Sequence, residues 1–342
     1  MSKAILVLGG LSATLVAASV WSVTVGAVGV PVGDVLAVIG DLVGIGRAGD
    51  VPQASETVVR DIRLPRILLA VAVGGSLGLC GAALQGVFAN PLADPGLIGT
   101  SSGAALGAVV GIITGLGAIG SWSTPVFAFI GALAVTALVY RIARHDGRTE
   151  VVTLVLTGIA INAMVVAAIG YVTFLADDQE LRSIVFWQLG SMAAARWTSV
   201  GVAFAFFALG LAIMPRLGRA LDLLALGERE ASHLGVDTER LRRIVLTVSA
   251  LVVGAVVAVA GIIAFVGLVV PHVVRLVAGP GHRLLLPASA VGGALLLVGA
   301  DVVARTAVEP AELPLGVLTS AVGGGFFLWL LVLTRREQGG WA

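Results

Sequence analysis

Ten long apolar stretches constrain this chain more strongly than any other feature of its sequence. A helix needs about 20 mostly apolar residues to cross roughly 30 Å of hydrocarbon. The chain is 58% hydrophobic and 12% charged, whereas soluble proteins are about 25% charged. We therefore predict an all-α, polytopic membrane protein that forms one transmembrane domain over residues 1–342. The expected spans are 4–28, 66–89, 96–118, 125–144, 151–175, 198–215, 244–264, 266–279, 284–304 and 314–334.

The distribution of basic residues predicts the orientation of these spans. If residue 1 is inside, 14 of the 21 Lys and Arg residues fall on the inner side and seven on the outer side. Such a bias marks the cytoplasmic face, so both termini are expected in the cytoplasm. The first stretch is longer than the 7–15 apolar residues of a typical signal peptide. We interpret it as a membrane span.

Two polar segments are too long to be simple turns. The outer segment, 30–65, contains Val32, Leu36, Ile39 and Val43 at helical spacing, which is typical of an amphipathic helix on a membrane surface. The inner segment, 218–243, is rich in charge and predicts two short helices around Leu234 and Gly235, with the glycine as a helix stop. An ordinary solvated loop is the alternative, but a stripe of Leu and Ala among the charges favours a protein-docking element.

Glycine positions give two further predictions. An offset of 180 residues relates one set to another and suggests an inverted repeat, although chance matches are common in a glycine-rich chain. Independently, the third span has a glycine at every fourth position, which allows a neighbouring helix to approach closely. The paired sets are Gly74, Gly81 and Pro91 with Gly254, Gly261 and Pro271, and the third-span glycines are Gly103, Gly107, Gly111 and Gly115.

Polar side chains inside the apolar stretches must face other helices or a wet path, because lipid offers them no partner. Gln85 and Asn162 are candidates for the path, with interhelical hydrogen bonding as the alternative for each. Asp301 and Arg305 are spaced for an ion pair on one helix. His272 follows a proline at a span interruption and is more typical of a structural histidine than of a metal ligand.

The sequence lacks the common catalytic signatures. A phosphate-binding glycine loop requires its lysine, and the only lysine is Lys3. The chain contains no HExxH, GxSxG or CxxC pattern, and Cys80 is its single cysteine. With a net charge of +1, nothing indicates a nucleic-acid partner. We expect no catalytic centre, no metal site and no cofactor bound by this chain.

A series of motifs resembles, in order, the permease subunits of bacterial iron-siderophore, haem and vitamin B12 ABC importers (FecCD-like, type II importers). The resemblance extends from about residue 60 to 333. One departure lies in the last span, where Gly325 stands at a position that is commonly proline in the family. The motifs include RLPRILLAVAVGG, LQGVFANPLADPGLIGTSSGAALG, WQLGSM, LALGEREASHLGV, GIIAFVGLVVPHVVRL, ADVVAR and ELPLGVLTSAVGGGFF.

This resemblance implies an assembly in the bacterial cytoplasmic membrane. Two permease subunits, identical or different, surround one path. Two cytoplasmic ATPases bind ATP and Mg²⁺ on their own chains, and an extracytoplasmic binding protein delivers the substrate. A bulky metal chelate is the expected cargo, most often a ferric siderophore in this family, with haem and cobalamin as alternatives.

The resemblance also implies roles for individual residues, in three groups. A cytoplasmic gate is expected at Asn90, Pro91, Leu92, Arg148, Thr149 and Glu150. Contact with the ATPase is expected at Gly227, Ala231, Leu234 and Gly235. Docking of the binding protein is expected at Arg63, Arg66 and Arg305, for which lipid-headgroup anchoring is the alternative.

Two other classes of protein fit the sequence less well. An ion-coupled secondary transporter would require a buried acidic residue near the middle of a span, and the spans offer almost none. An intramembrane enzyme is disfavoured by the missing catalytic motifs.

Overall fold

The computed structural model describes residues 2–26, 29–42, 44–45, 51–115, 120–146, 148–308 and 311–337. The described residues are almost entirely helical, with one pair of two-residue antiparallel strands, β1 (Arg144–His145) and β2 (Arg148–Thr149). The helices are α1 (Ser2–Thr24), α2 (Val32–Leu42), α3 (Gln53–Thr57), α4 (Leu64–Val87), α5 (Thr100–Ile113), α6 (Ser123–Ala143), α7 (Val151–Leu175), α8 (Asp178–Leu189), α9 (Trp197–Ile213), α10 (Gly218–Leu224), α11 (Glu228–His233), α12 (Thr238–Ala260), α13 (Val266–Ala278), α14 (His282–Thr306) and α15 (Leu315–Glu337).

Each of the ten predicted spans contains one apolar helix. Among the described residues, seven helical segments are long and apolar enough to cross a membrane. Three more apolar helices are shorter, and they lie at Thr100–Ile113, Val266–Ala278 and Leu315–Leu330. The all-α, multi-pass architecture is confirmed, while ten crossings and cytoplasmic termini stay predictions.

Helix α4 lies at the centre of the molecule and is buried along nearly its whole length. It packs against α9, α12, α13 and most extensively α14. Glycines permit this contact: a Cβ on Gly74 would lie 2.3 Å from the carbonyl oxygen of Gly293, and a Cβ on Gly78 would lie 2.1 Å from that of Ser289. Such distances are below any van der Waals contact, so α4 and α14 meet backbone to backbone.

The predicted glycine face of the third span is confirmed for α5. A Cβ on Gly103 would lie 2.4 Å from the carbonyl oxygen of Gly131, and one on Gly107 would lie 2.0 Å from that of Phe127. Helix α6 therefore crosses α5 at close range. Gly115 does not contribute, because it lies beyond the end of α5 with a positive φ of 65° and no neighbour near its Cβ position.

The outer segment 30–65 contains the predicted helix, α2, but two of its faces are apolar. Val35 and Val38 are buried against the protein, whereas Val32 and Leu36 of the predicted stripe are exposed; Val43 lies outside the described residues. Further along, Val58–Arg63 forms a π-helical turn that runs into α4. Pro65 lacks an N–H for the regular bonding pattern, which accounts for a widened turn at this point.

The prediction for 218–243 is correct for the helix stop and for the short helix before it, and wrong for the helix after it, which is long. Helices α10 and α11 both precede Leu234, and the helix that follows is the start of the long α12. Gly235 has a φ of 85°, and Val236 and Gly235 donate backbone hydrogen bonds to Ala231 and Ser232. This is the Schellman pattern that ends a helix at a glycine.

The inverted repeat stays a prediction. Gly81 lies within α4, whereas Gly261 ends α12 with a φ of 73°. Pro91 follows α4 in a turn, whereas Pro271 lies inside α13. The matched positions therefore differ in local conformation, because Gly261 begins an extended stretch that has no counterpart in α4.

Candidate functional site

The first candidate gate segment is the turn that ends α4. Ala89 adopts a positive φ of 46°, Asn90 donates its backbone N–H to Gln85, and Ala89 donates to Gly86. Pro91 then prevents the helix from continuing. The Asn90 side chain accepts a hydrogen bond from the backbone N–H of Leu92 at 2.9 Å, and the Leu92 side chain is left 47% exposed. The turn thus presents one leucine on a locked backbone.

The chain returns to α5 through residues 93–99, which are held by polar contacts. Asp94 accepts a hydrogen bond from the backbone N–H of Gly96 at 2.8 Å and starts a short 3₁₀ turn. Burial raises the pKa of the Asp94 carboxyl, and the Gly96 hydrogen bond opposes this shift. Asn162 of α7 donates to the Gly96 carbonyl at 3.1 Å and accepts from Ser102. Asn162 therefore links α7 to this loop by hydrogen bonds. This matches interhelical hydrogen bonding, the alternative to a role in the path.

The second candidate gate segment, 148–150, is built around Glu239 at the start of α12. Glu239 accepts hydrogen bonds from the backbone N–H and the hydroxyl of Thr149, at 3.0 and 2.8 Å, and from the hydroxyl of Tyr140 at 3.2 Å. Arg242 donates to the Thr149 carbonyl at 2.7 Å. Thr149 is buried, whereas Glu150 is exposed. The side chain of Arg148 lies outside the described part of the structure.

These two gate segments are held by different neighbours. Among the described residues, no hydrogen bond joins Asn90 or Leu92 to Thr149 or Glu150. The structure therefore leaves their joint role in a gate as a prediction.

The four predicted ATPase-contact residues divide into three kinds. Gly227, with a φ of 126°, and Gly235 shape the two ends of α11, and Ala231 is completely buried. Only Leu234 presents a large apolar side chain, 58% exposed. Sequence reasoning missed Leu226, which is 65% exposed on the other side of α11. The leucine and glycine doublet that repeats at 226–227 and 234–235 could have revealed it.

Helix α10 connects this surface to the end of α4. The Asp222 carboxylate accepts from the His282 backbone N–H at 2.6 Å and lies 2.9 Å from His282 Nδ1. His282 begins α14, and its ring lies against Gly86, where a Cβ would be 2.6 Å from Nε2. Gly86 is four residues before Asn90. The inner segment, α14 and the first gate turn therefore form one packed unit.

Arg63, Arg66 and Arg305, the residues expected to dock the binding protein, are all buried in this conformation. Arg66 pairs with Asp301 at 2.9 Å and with Glu312 at 2.8 Å. Arg305 also contacts Asp301, at 3.3 Å, which confirms the predicted helical ion pair. Arg63 donates to the Val23 carbonyl at 2.6 Å.

Two of these arginines, Arg63 and Arg305, attach α1 to the rest of the molecule. Arg305 donates to the carbonyl oxygens of Ser22 and Val25 at 2.7 and 2.6 Å. Their docking role stays a prediction, but the surface that they would offer is already occupied by this chain. Sequence reasoning missed Glu312, whose distance of 246 residues from Arg66 leaves no local pattern.

Gln85 is buried and joined to α13. It donates to the carbonyl oxygens of Gly267 and Leu268, both at 3.3 Å, and accepts from Arg275 at 3.0 Å. These contacts match interhelical hydrogen bonding, the alternative to a role in the path. In this conformation the buried Gln85 side chain is not accessible to a passing cargo. Within the described residues, no group of three or more His, Cys, Asp or Glu side chains could hold a metal ion.

Comparison with known proteins gives consistent matches over most of the chain. The profile of the FecCD transport family matches residues 14–333. The hemin transport system permease protein HmuU of Yersinia pestis is 47% identical over 286 residues, which cover 82% of this chain and 84% of HmuU. The cobalamin import system permease protein BtuC of Halobacterium salinarum is 44% identical and covers 82% and 75% of the two chains.

A solved structure gives the same match at the level of the fold. It is described as an inward-facing conformation of a metal-chelate type ABC transporter, and it superposes with a TM-score of 0.83 at 32% sequence identity. The superposition covers 95% of this chain and 98% of that one.

Proposed function

Because the chain belongs to the FecCD transport family, we propose that it carries a bulky metal complex, delivered by a binding protein, into the cytoplasm. The chain is an ABC importer permease and a multi-pass protein of the cytoplasmic membrane. Two permease subunits and two separate ATPases complete the proposed assembly. The chain itself supplies the path and no catalytic group.

The exposed apolar surface around α11 is the observation that best supports the proposed ATPase contact. Leu226 and Leu234 flank a helix whose side chains are mostly polar or charged, and both leucines are more than half exposed. An exposed apolar side chain with a polar rim is typical of a protein interface. Leu226 and Leu234 are thus the proposed contacts with the ATPase, and the glycines at 227 and 235 hold them in place.

The turn at 90–92 is the best-supported part of the proposed gate. Leu92 is an exposed apolar side chain on a turn that a proline and an Asn90 hydrogen bond keep rigid. Rings of apolar side chains can close a water-filled path by excluding water. In a dimer of permeases, two such turns would face one path, and Leu92 would be its narrowest apolar point.

For the cargo, the relatives favour a metal macrocycle over the ferric siderophore that the sequence motifs suggested. HmuU belongs to a hemin system and BtuC to a cobalamin system, and HmuU is the slightly more similar of the two, at 47% against 44% identity. Haem and cobalamin each hold a metal ion in a large macrocyclic ring. We take haem as the first candidate and cobalamin as the second.

Two experiments test this proposal. The first is copurification: an ATPase chain should copurify with the wild-type permease and be lost from Leu234→Asp, while Ser232→Asp, an exposed change in the same helix, should retain it. The second measures binding of the partner binding protein to hemin, cobalamin and a panel of ferric siderophores. Hemin binding is the expected result, and selective siderophore binding would overturn the cargo assignment.

A further inference from the structure

Arg242 lies between the inner segment, 218–243, and the second candidate gate segment, 148–150. Its side chain is 3% exposed. One terminal nitrogen, Nη1, donates to the Thr149 carbonyl at 2.7 Å, and the other, Nη2, lies 3.4 Å from the Glu228 carboxylate. Glu228 is the first residue of α11. A single guanidinium thus contacts both the helix that carries the proposed ATPase contacts and the turn at 144–149.

The contacts on the two sides of Arg242 are unequal. On the buried side, Thr149 is held by Arg242 and by two hydrogen bonds to Glu239, none longer than 3.0 Å. On the exposed side, the Glu228 side chain is 59% exposed and its contact with Arg242 is long. Buried charge-assisted hydrogen bonds are much stronger than exposed ion pairs. The exposed Glu228 contact can therefore break while the buried Thr149 contacts remain.

The remaining nitrogen of Arg242 points to a second arrangement. Arg242 Nε is buried and has no hydrogen-bond partner within the described part of the chain. A buried hydrogen-bond donor without a partner loses its hydration free energy and is uncommon in folded proteins. A conformation in which the guanidinium turns, exchanging its Glu228 contact for one at Nε, would satisfy it.

We propose that Arg242 is a positioning residue that transmits movement of α11 to Thr149 and so to the paired strands β1 and β2. The inference rests on the proposed function, because the movement is that of the ATPase bound at α11. When α11 moves, the Glu228 contact breaks or forms, the guanidinium shifts, and Thr149 follows through its carbonyl oxygen. Glu239 holds the turn as one unit during this shift.

A reporter cysteine on the turn tests the inference in the assembled complex with its ATPase. Arg144 is exposed on β1 and lies outside the contacts described above, so Arg144→Cys is placed in a Cys80→Ala background. The measurement is the rate of maleimide labelling with and without ATP plus vanadate. The variants are Arg242→Gln, Arg242→Lys and Glu228→Gln, and the matched control is Arg243→Gln, at the exposed arginine next in sequence.

Arg242→Gln should lose the nucleotide-dependent change in labelling while the ATPase chain stays bound and active. Arg242→Lys should recover part of it, because lysine keeps the charge but cannot bridge two partners. Glu228→Gln should reduce the change by about two- to fivefold, the effect of an exposed ion pair. Arg243→Gln should leave it unchanged.

Several results would overturn the inference. A full nucleotide response in Arg242→Gln or in Glu228→Gln would do so, as would an equal loss in Arg243→Gln. Glu228→Gln decides the matter if Arg242→Gln fails to assemble, because Glu228 is exposed and its loss leaves the buried contacts intact. If the ATPase binds and hydrolyses ATP but the wild-type reporter is silent, the inference alone fails. If no ATPase assembles with the chain, the proposed function fails.

Discussion

Arg66 is held by oxygen atoms of two carboxylates, one on α14 and one in the loop before α15. Its contacts with Asp301 and Glu312 are 2.8 to 3.1 Å long and involve a buried guanidinium. Removing one partner of a buried ion pair leaves the others uncompensated, which costs about 3–5 kcal/mol. Arg66 thus has a structural task, whatever it does at the outer surface.

We therefore expect Arg66→Ala to lower the free energy of unfolding by about 3 kcal/mol or more. The matched control is Arg60→Ala, which removes an exposed pair with Glu56 and should cost about 0.5 kcal/mol or less. Thermal unfolding in detergent measures both. Equal effects of the two substitutions would show that the Arg66 pairs contribute little.

Leu92 gives a second prediction at the residue scale. Leu92→Ala should weaken the proposed apolar constriction, so passive leak of small solutes or ATP hydrolysis without transport should rise in reconstituted vesicles. Val308→Ala, at an exposed valine elsewhere in the chain, serves as the control. A variant that stays tight and folds normally but is inactive would assign the turn a structural role only.

Among the elements, α5 and α6 show how tightly this fold is packed. Gly107→Ala would place a Cβ 2.0 Å from the Phe127 carbonyl, and overpacking of this kind costs about 1–3 kcal/mol. Gly170→Ala in α7 meets no atom within 4 Å and should be neutral or slightly stabilising. Unfolding measurements on both variants make the comparison. A neutral Gly107→Ala would mean that α6 can move away without loss.

Sequence reasoning succeeded for the apolar helices because each has its own continuous pattern. It missed α8, whose 12 residues are too polar and too short to resemble a span. The start of α8 nevertheless has a signal in the sequence, because Asp177 and Glu180 form the reciprocal contacts of a capping box. Sequence reasoning also expected a second short helix after Gly235, where the long α12 begins at Thr238, because the charged residues of 218–243 hide the start of the apolar pattern.

For the site, the sequence could place the turns and the exposed leucine but not the partners of the charged residues. The Arg242 contact with Thr149 and the Arg66 contact with Glu312 join residues that are 93 and 246 positions apart along the chain. Such pairs leave no periodic signature. The burial of two of the outer arginines was unforeseen for this reason: Arg66 and Arg305 both contact Asp301 and are buried with it.

At the scale of the whole molecule, the orientation in the membrane is open to a direct test. In the Cys80→Ala background, a cysteine at Arg229 should react with an impermeant maleimide only after cells are opened, and one at Arg182 should react before. Both positions are exposed in this chain. The opposite pattern would invert the orientation that the basic residues predict.

Energy coupling is the central claim for the whole assembly, and uptake into vesicles tests it most directly. The permease is reconstituted with its copurifying ATPase and the loaded binding protein, and accumulation of the cargo is measured with ATP or a non-hydrolysable analogue on the cytoplasmic side. We expect accumulation that requires hydrolysable ATP and is abolished by Leu234→Asp. Accumulation driven by a proton or sodium gradient without ATP would contradict it and identify a secondary transporter.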